Sequence, residues 1–175
     1  MRRWRDSDRE PFAALNADSL VREYMQGPMT REESDAFVDR IRAQWEEGGW
    51  GLWAVGVPGV APFIGYVGLW PADFVTGSPM IEVGWRLARQ HWGHGYATEA
   101  AREALRYGFE VVEATEIVSL TVPQNIRSRR LMERIGLVHD PADDFDHPGV
   151  DPLLYPHLVR HVLYRISRAA WSARR

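Results

Sequence analysis

The chain has 175 residues, 45% of them hydrophobic, with 21 basic and 24 acidic side chains, a formal net charge of −3 and no cysteine. That length suits a single domain, 1–175, able to bury its own core, and the slight acidic excess gives no electrostatic reason to expect nucleic-acid binding. Without cysteine there is no disulfide, no thiolate metal site and no cysteine acyl-enzyme, and a reducing, cytoplasmic setting fits.

The opening MRRWRDSDRE runs straight into charge, so it is not read as a targeting segment. Asp6 to Glu10 carries the acidic and serine residues that open a helix, Pro11 is tolerated in a first turn, and Phe12, Leu15 and Leu20 supply an apolar side. Thr30-Arg31-Glu32-Glu33 matches a capping box, after which Phe37, Val38, Ile41 and Trp45 share one helical face until Gly48-Gly49 ends the run. Trp50 to Trp70 is uncharged over a length that could span a bilayer. Its glycines and prolines divide it into two short runs around VPGVAP, which is a hairpin pattern.

From Ile81 to Leu87 the side chains alternate: Ile81, Val83, Trp85 and Leu87 on one face, Glu82, Gly84 and Arg86 on the other. Gln90 to Gly95 interrupts the strand, and Ala97, Ala101, Ala104, Leu105 and Phe109 then recur at helical spacing. Glycines at a strand-to-helix turn let a ligand approach the backbone, and the unpaired N–H groups of a first helical turn suit a phosphate or pyrophosphate. A dinucleotide fingerprint would need a third glycine where Thr98 stands, and no G-K-[ST] follows for a Walker loop. A plain tight turn is the remaining alternative.

Ile117 to Val122 reads as a strand, Asn125 as an N-cap, Leu131 and Ile135 as the stripe of a short helix, and Gly136 as its C′ residue. Val138 to Arg160 holds four prolines and Gly149, so a long loop is expected, placed to cover an acceptor site. His161 to Ser167 is the final strand, Trp171 packs beneath it, and the arginine tail is expected to be solvated. The fold class is α+β, a mixed and mainly antiparallel twisted sheet with helices on both faces.

Gln90-x-x-Gly93-x-Gly95-x-Ala97 resembles the Q/R-x-x-G-x-G/A signature of the GNAT acyltransferases, and TVPQNIRSRRLMERIG from Thr121 to Gly136 resembles the N-x-x-S-x-x-L motif of their RimJ/RimL-like branch. The resemblance implies acetyl-CoA as acyl donor, an amine acceptor, direct transfer in a ternary complex, no metal, and a sheet that opens between two central strands for the pantetheine arm. It also implies a first strand near Met1 to Arg5, either incomplete there or with its start displaced. Backbone groups of Trp85, Arg86 and Leu87 would meet pantetheine and the thioester carbonyl. The loop Gln90, His91, Trp92, Gly93, His94, Gly95, Tyr96, Ala97 and Thr98 would hold the pyrophosphate. Many relatives carry Arg or Lys in this loop, where Trp92 and His94 stand here; Arg130 would compensate, or it belongs to a solvated arginine run. Asn125 and Ser128 match the branch's coenzyme A contacts, and they also read as an N-cap and its neighbour.

Glu82 resembles the glutamate that serves many relatives as base; a surface ion pair is its alternative. The tyrosine that follows the motif leucine in many relatives is replaced by Met132, which has no proton to give. Ser128, one turn earlier, is the nearest substitute as donor to the leaving thiolate, with Tyr164 second; a core position beside Val162 and Ile166 is the alternative for Tyr164. Tyr24, Met25, Phe37 and Trp45 either border the acceptor or belong to the core. Asp143, Asp144, Asp146 and His147 lack metal-ligand spacing and read as solvated loop acids that could attract a cationic acceptor. No nucleic-acid or membrane partner is expected, and a homodimer is left open. A non-catalytic acyl-CoA-binding or sensory domain, and an enzyme that uses the loop for a nucleotide, are the rival classes.

Overall fold

The structure, a computed structural model, describes residues 1–73 and 79–174. The chain divides into two compact units, Met1–Leu69 with Gly84–Ala101, and Trp70–Val83 with Arg102–Arg175.

In the first unit the N-terminal segment makes a one-residue bridge, Arg2 exchanging backbone hydrogen bonds with Ala54 at 2.9 and 3.0 Å. The Arg2 guanidinium grips the buried Asp8 carboxylate with both Nη atoms at 2.6 Å, a bidentate geometry that fixes the chain's entry. A 3-10 turn over Asp6–Asp8 leads into α1 (Arg9–Ala17), which buries Phe12, Leu15 and Asn16. Leu20 lies beyond that helix and is 47% exposed, so the expected apolar side stops at Leu15.

The capping box forms at α2 (Arg31–Gly48): Thr30 Oγ1 accepts from Glu33 N at 3.2 Å and the Glu33 carboxylate accepts from Thr30 N at 2.8 Å. Thr30→Ala is therefore expected to cost about 1 kcal/mol, measured as a lower denaturation midpoint with an unchanged m-value. Gly49 closes the helix in the left-handed conformation, φ 72°.

The hairpin follows as β1 (Leu52–Val57) and β2 (Ala61–Pro71), antiparallel with Leu52 opposite Gly68. The strand order in this unit is β1-β2-β3, the last being β3 (Ile81–Leu87), whose final four residues belong here. At Gly65 β2 runs close against β3: a Cβ there would lie 2.1 Å from the Arg86 carbonyl oxygen. Trp4, Phe12, Phe63 and Tyr66 form the aromatic centre of the core, with Trp4 and Phe12 edge-to-face at 4.9 Å.

The second unit carries the start of β3, then β4 (Glu116–Thr121) and β7 (Arg160–Ser167), in the order β3-β4-β7-β5. β3 pairs with β4 in parallel at Glu82 opposite Val118, whereas β4 and β7 are antiparallel from Glu116/Ser167 to Thr121/Val162. The sheet is mixed and mainly antiparallel, as the sequence led us to expect. The helix α3 (Tyr96–Glu110) passes from the first unit into the second, where Ala104, Leu105 and Phe109 are buried. Here α4 (Ile126–Arg134) buries Met132 completely.

One expectation is corrected in this unit. Val138 to Arg160 is not a structureless loop: β5 (Val138–His139) and β6 (Phe145–Asp146) both pair antiparallel with β7, and Pro141 and Pro156 open 3-10 turns. Proline's fixed φ and missing N–H cost nothing in a first helical turn, so these residues punctuate order and do not prevent it. The tail is exposed from Ser172 to Arg174, as expected. Ser167 caps α5 (Arg168–Ser172), Trp171 packs on Phe109 at 5.1 Å, and Arg174 covers the backbone of Gly136; Arg175 lies outside the described residues. Among the described residues no helix is long and apolar enough to cross a membrane.

Candidate functional site

The turn from β3 to α3 is pinned on its strand side and open on its helix side. Ala88 N donates to Ile64 O at 2.8 Å, a 3-10 turn covers Arg89–His91, and Trp92 Nε1 reaches back to Leu87 O at 2.7 Å. Gly93 and Gly95 then adopt φ 79° and 84°, a region that side-chain-bearing residues rarely enter. The first bond of the helix runs from Glu99 N to Gly95 O at 3.0 Å. Among the described residues, no carbonyl or side chain accepts from the N–H groups of Gly93 through Thr98. Consecutive unpaired donors at the positive end of a helix dipole form an anion cradle.

A Cβ added at Gly93 or Gly95 would meet no protein atom within 4 Å, so internal packing does not require these glycines. The backbone conformation does, along with whatever fills the open space. His94 and Tyr96 stack at 5.4 Å beside it. Gln90 and His94 are exposed, His91, Trp92, Tyr96 and Ala97 half-buried, and Thr98 buried.

Leu87 is buried while Trp85 and Arg86 are half-buried. The Arg86 side chain enters a polar network that the sequence reading missed. Its Nη1 donates to Asn16 Oδ1 at 2.6 Å, and Asn16 Nδ2 donates to Ser34 Oγ at 2.9 Å, with Asn16 and Ser34 both fully buried. Two polar residues on otherwise apolar helix faces were the available signal. Trp45 is core: its Nε1 donates to Leu52 O at 2.9 Å and Arg3 stacks over its ring at 3.7 Å. Phe37 is half-buried, with Phe12 and Tyr66 as ring partners.

In the second unit Glu82 is half-buried on β3, and burial pushes its carboxyl up to about 7. It has no hydrogen-bond or ion-pair partner among the described residues, so the surface ion pair does not form. A carboxylate with that value is half ionised near neutral pH, which suits a general base.

Asn125 caps α4, its Oδ1 accepting from Ser128 N at 3.2 Å and its Nδ2 donating to Thr121 Oγ1 at 3.0 Å. Ser128 is half-buried and its hydroxyl has no partner among the described residues. Arg130 is exposed and makes no ion pair there. Tyr164 differs: it is 1% exposed, its hydroxyl donates to Glu133 Oε1 at 3.0 Å and accepts from Arg129 Nε at 3.2 Å, and His139 stacks on its ring at 5.0 Å.

The loop acids are not free. Asp143 pairs with Arg165 at 2.8 Å, Asp144 with His139 at 2.7 Å and Asp146 with Arg160 at 3.4 Å. His147 faces His161 at 4.8 Å, and burial holds both imidazoles below their ordinary value. Asp143 and Asp146 thus meet arginines within the chain, which weakens their pull on a cationic acceptor.

Residues 1–138 match the family described as Acetyltransferase (GNAT) domain. The uncharacterized protein YkkB of Bacillus subtilis (strain 168) is 32% identical over 126 residues, 72% of this chain and 73% of that protein. The FsC-acetyl coenzyme A-N(2)-transacetylase of Aspergillus fumigatus is 32% identical over 137 residues, 67% of this chain and 54% of that protein. Among solved structures, an acetyltransferase (GNAT family) from Bacillus anthracis superposes with a TM-score of 0.77 at 25% identity, covering 96% of this chain and 93% of that one.

Proposed function

The chain belongs to the GNAT acetyltransferase family, and from that membership we propose that it transfers acetyl from acetyl-CoA directly to a primary amine, as a member of the RimJ/RimL-like branch. The observation that carries this reading is the run of acceptor-free N–H groups from Gly93 to Thr98 at the mouth of α3. It supports pyrophosphate binding by backbone alone, which suits a loop that has Trp92 and His94 where relatives carry a cation.

In the proposed reaction the amine nitrogen attacks the thioester carbonyl carbon, the C–S bond breaks, and the amine's proton passes to Glu82. The backbone of Trp85 to Leu87 pairs with the pantetheine arm and polarises the carbonyl. Asn125, Ser128 and Arg130 contact coenzyme A. Titration calorimetry with acetyl-CoA, ATP and NAD tests the assignment: acetyl-CoA binds at least about tenfold more tightly than either nucleotide, a difference of roughly 1.4 kcal/mol. Preference for ATP or NAD would overturn it.

The leaving thiolate has a reference pKa near 8.5, so it benefits from a donor without strictly requiring one. The unpartnered Ser128 hydroxyl supports that role, whereas the Tyr164 proton already goes to Glu133. Ser128→Ala is expected to lower kcat about tenfold, less than the roughly hundredfold a positioned acid ordinarily contributes because the thiolate can also leave unprotonated, with little change in the acetyl-CoA KM. Tyr164→Phe should do less. The reverse order in steady-state kinetics would exchange the two assignments.

A further inference from the structure

The first unit holds a second cationic feature, apart from the phosphate cradle. Arg86 on β3 and Arg22, in the segment between α1 and α2, are both half-buried, and the Arg86 charge acts on Arg22. Burial and this repulsion together bring the Arg22 guanidinium down to about 10, so it stays protonated at neutral pH. Neither has a carboxylate within ion-pair distance among the described residues. The other groups acting on Arg22 are the Glu33 carboxylate, too distant to pair, and the Tyr66 phenol. Two neighbouring half-buried cations without a counterion are costly, and a ligand anion relieves that cost.

The hydrogen bonding of Arg86 says what kind of anion fits. Nη1 is occupied by Asn16, and Asn16 is itself held by Ser34, so the guanidinium plane is fixed. Nε is buried with no partner, and Nη2 has none among the described residues. Nε and Nη2 form the lateral edge of the guanidinium, whose two parallel N–H groups match the two oxygens of a carboxylate. Tyr66 and Phe37 flank the guanidinium at 5.3 and 5.9 Å from their ring centroids, limiting its hydration. Arg22 Nε is tied to Gly27 O, which leaves its Nη groups as the second cationic contact.

We propose that Arg86, backed by Arg22, binds a carboxylate carried by the acceptor, so that the acceptor is an amino-carboxylate and not a polyamine. The inference rests on the acetyl-transfer reading above and names its substrate class. The carboxylate can belong to a free amino acid or to an acidic side chain of a peptide's first residue.

The test compares acetylation rates of free amino acids against their α-carboxamides, and of peptides beginning with Asp or Glu against those beginning with Asn or Gln. One of the two series is expected to show a carboxylate preference of at least about tenfold in kcat/KM, the worth of one charge-assisted contact. Arg86→Gln, and independently Arg22→Gln should the first variant fold poorly, should bring the ratio of carboxylate to amide close to one. Thermal melting supplies a second readout: the preferred carboxylate raises the Tm of the wild-type protein and not that of either variant.

Equal rates for acid and amide in both series, or a preference unmoved by both substitutions, would overturn the inference while leaving acetyl transfer intact. Preference for a phosphate-bearing amine such as phosphoethanolamine would overturn the carboxylate assignment. Carboxylate-dependent stabilisation without turnover of any amine would instead remove the acetyl-transfer reading and keep the anion site.

Discussion

Replacing Gly95 with alanine is expected to weaken acetyl-CoA binding at least about thirtyfold in a protein that still folds. The left-handed conformation at Gly95, φ 84°, costs a residue with a Cβ about 1–2 kcal/mol, itself roughly a five- to thirtyfold effect if the loop must be held in place by the ligand. The new methyl adds to this, because it projects into space that holds no protein atom within 4 Å and would lie against the phosphate. Relaxing the residue out of the left-handed region relieves the strain but turns the neighbouring N–H groups away from a common centre. Since no core contact is disturbed, the melting temperature should fall only modestly. Gly93→Ala should behave alike, since its φ of 79° and open surroundings are the same. Unchanged affinity by calorimetry in either folded variant would remove the phosphate from this loop.

Glu82→Gln is expected to lower kcat/KM on the order of a hundredfold near pH 7.5, the low end of what a positioned base contributes. The wild-type rate should rise with pH through about 7 as the carboxyl ionises, and rise again as the acceptor amine itself deprotonates. The variant should lose the first rise and keep the second.

Stability should move in the opposite direction. The folded value is raised above the unfolded one, so the protonated carboxyl's contribution is fully present below about 4.5 and is lost as pH rises through about 7. Denaturation at pH 5 and pH 8 should therefore show a decline in the wild-type protein that Glu82→Gln reduces. A pH–rate profile identical in both proteins would transfer the base role to water or to another residue.

Much of the site was legible because it is local in sequence. The period-two strand, the Gly93 and Gly95 turn and the helix from Tyr96 are contiguous, and the structure reproduces Ile81–Leu87 and Tyr96–Glu110 as strand and helix. The Asn125 cap and the Thr30 capping box were equally readable, since a cap is a side chain bonding its own next turn.

What stayed hidden depends on contacts between distant residues. Asn16, Ser34 and Arg86 form one chain of hydrogen bonds across three elements, and no spacing rule links them. The two-residue strands β5 and β6 are too short to show alternation; they exist because β7 offers them a partner. The loop acids looked solvated for the same reason, because Arg165, His139 and Arg160 reach them only in the folded chain.

Acetylated product, followed by mass spectrometry with wild-type protein, acetyl-CoA and a set of amines spanning amino acids, acidic peptides and polyamines, bears on the proposed reaction without any variant. Enzyme-dependent acetylation of an amino-carboxylate, one coenzyme A released per acetyl transferred, is the expected result. Tight binding of acetyl-CoA with no amine acetylated at any pH from 6 to 9 would contradict it and leave an acyl-CoA-binding domain.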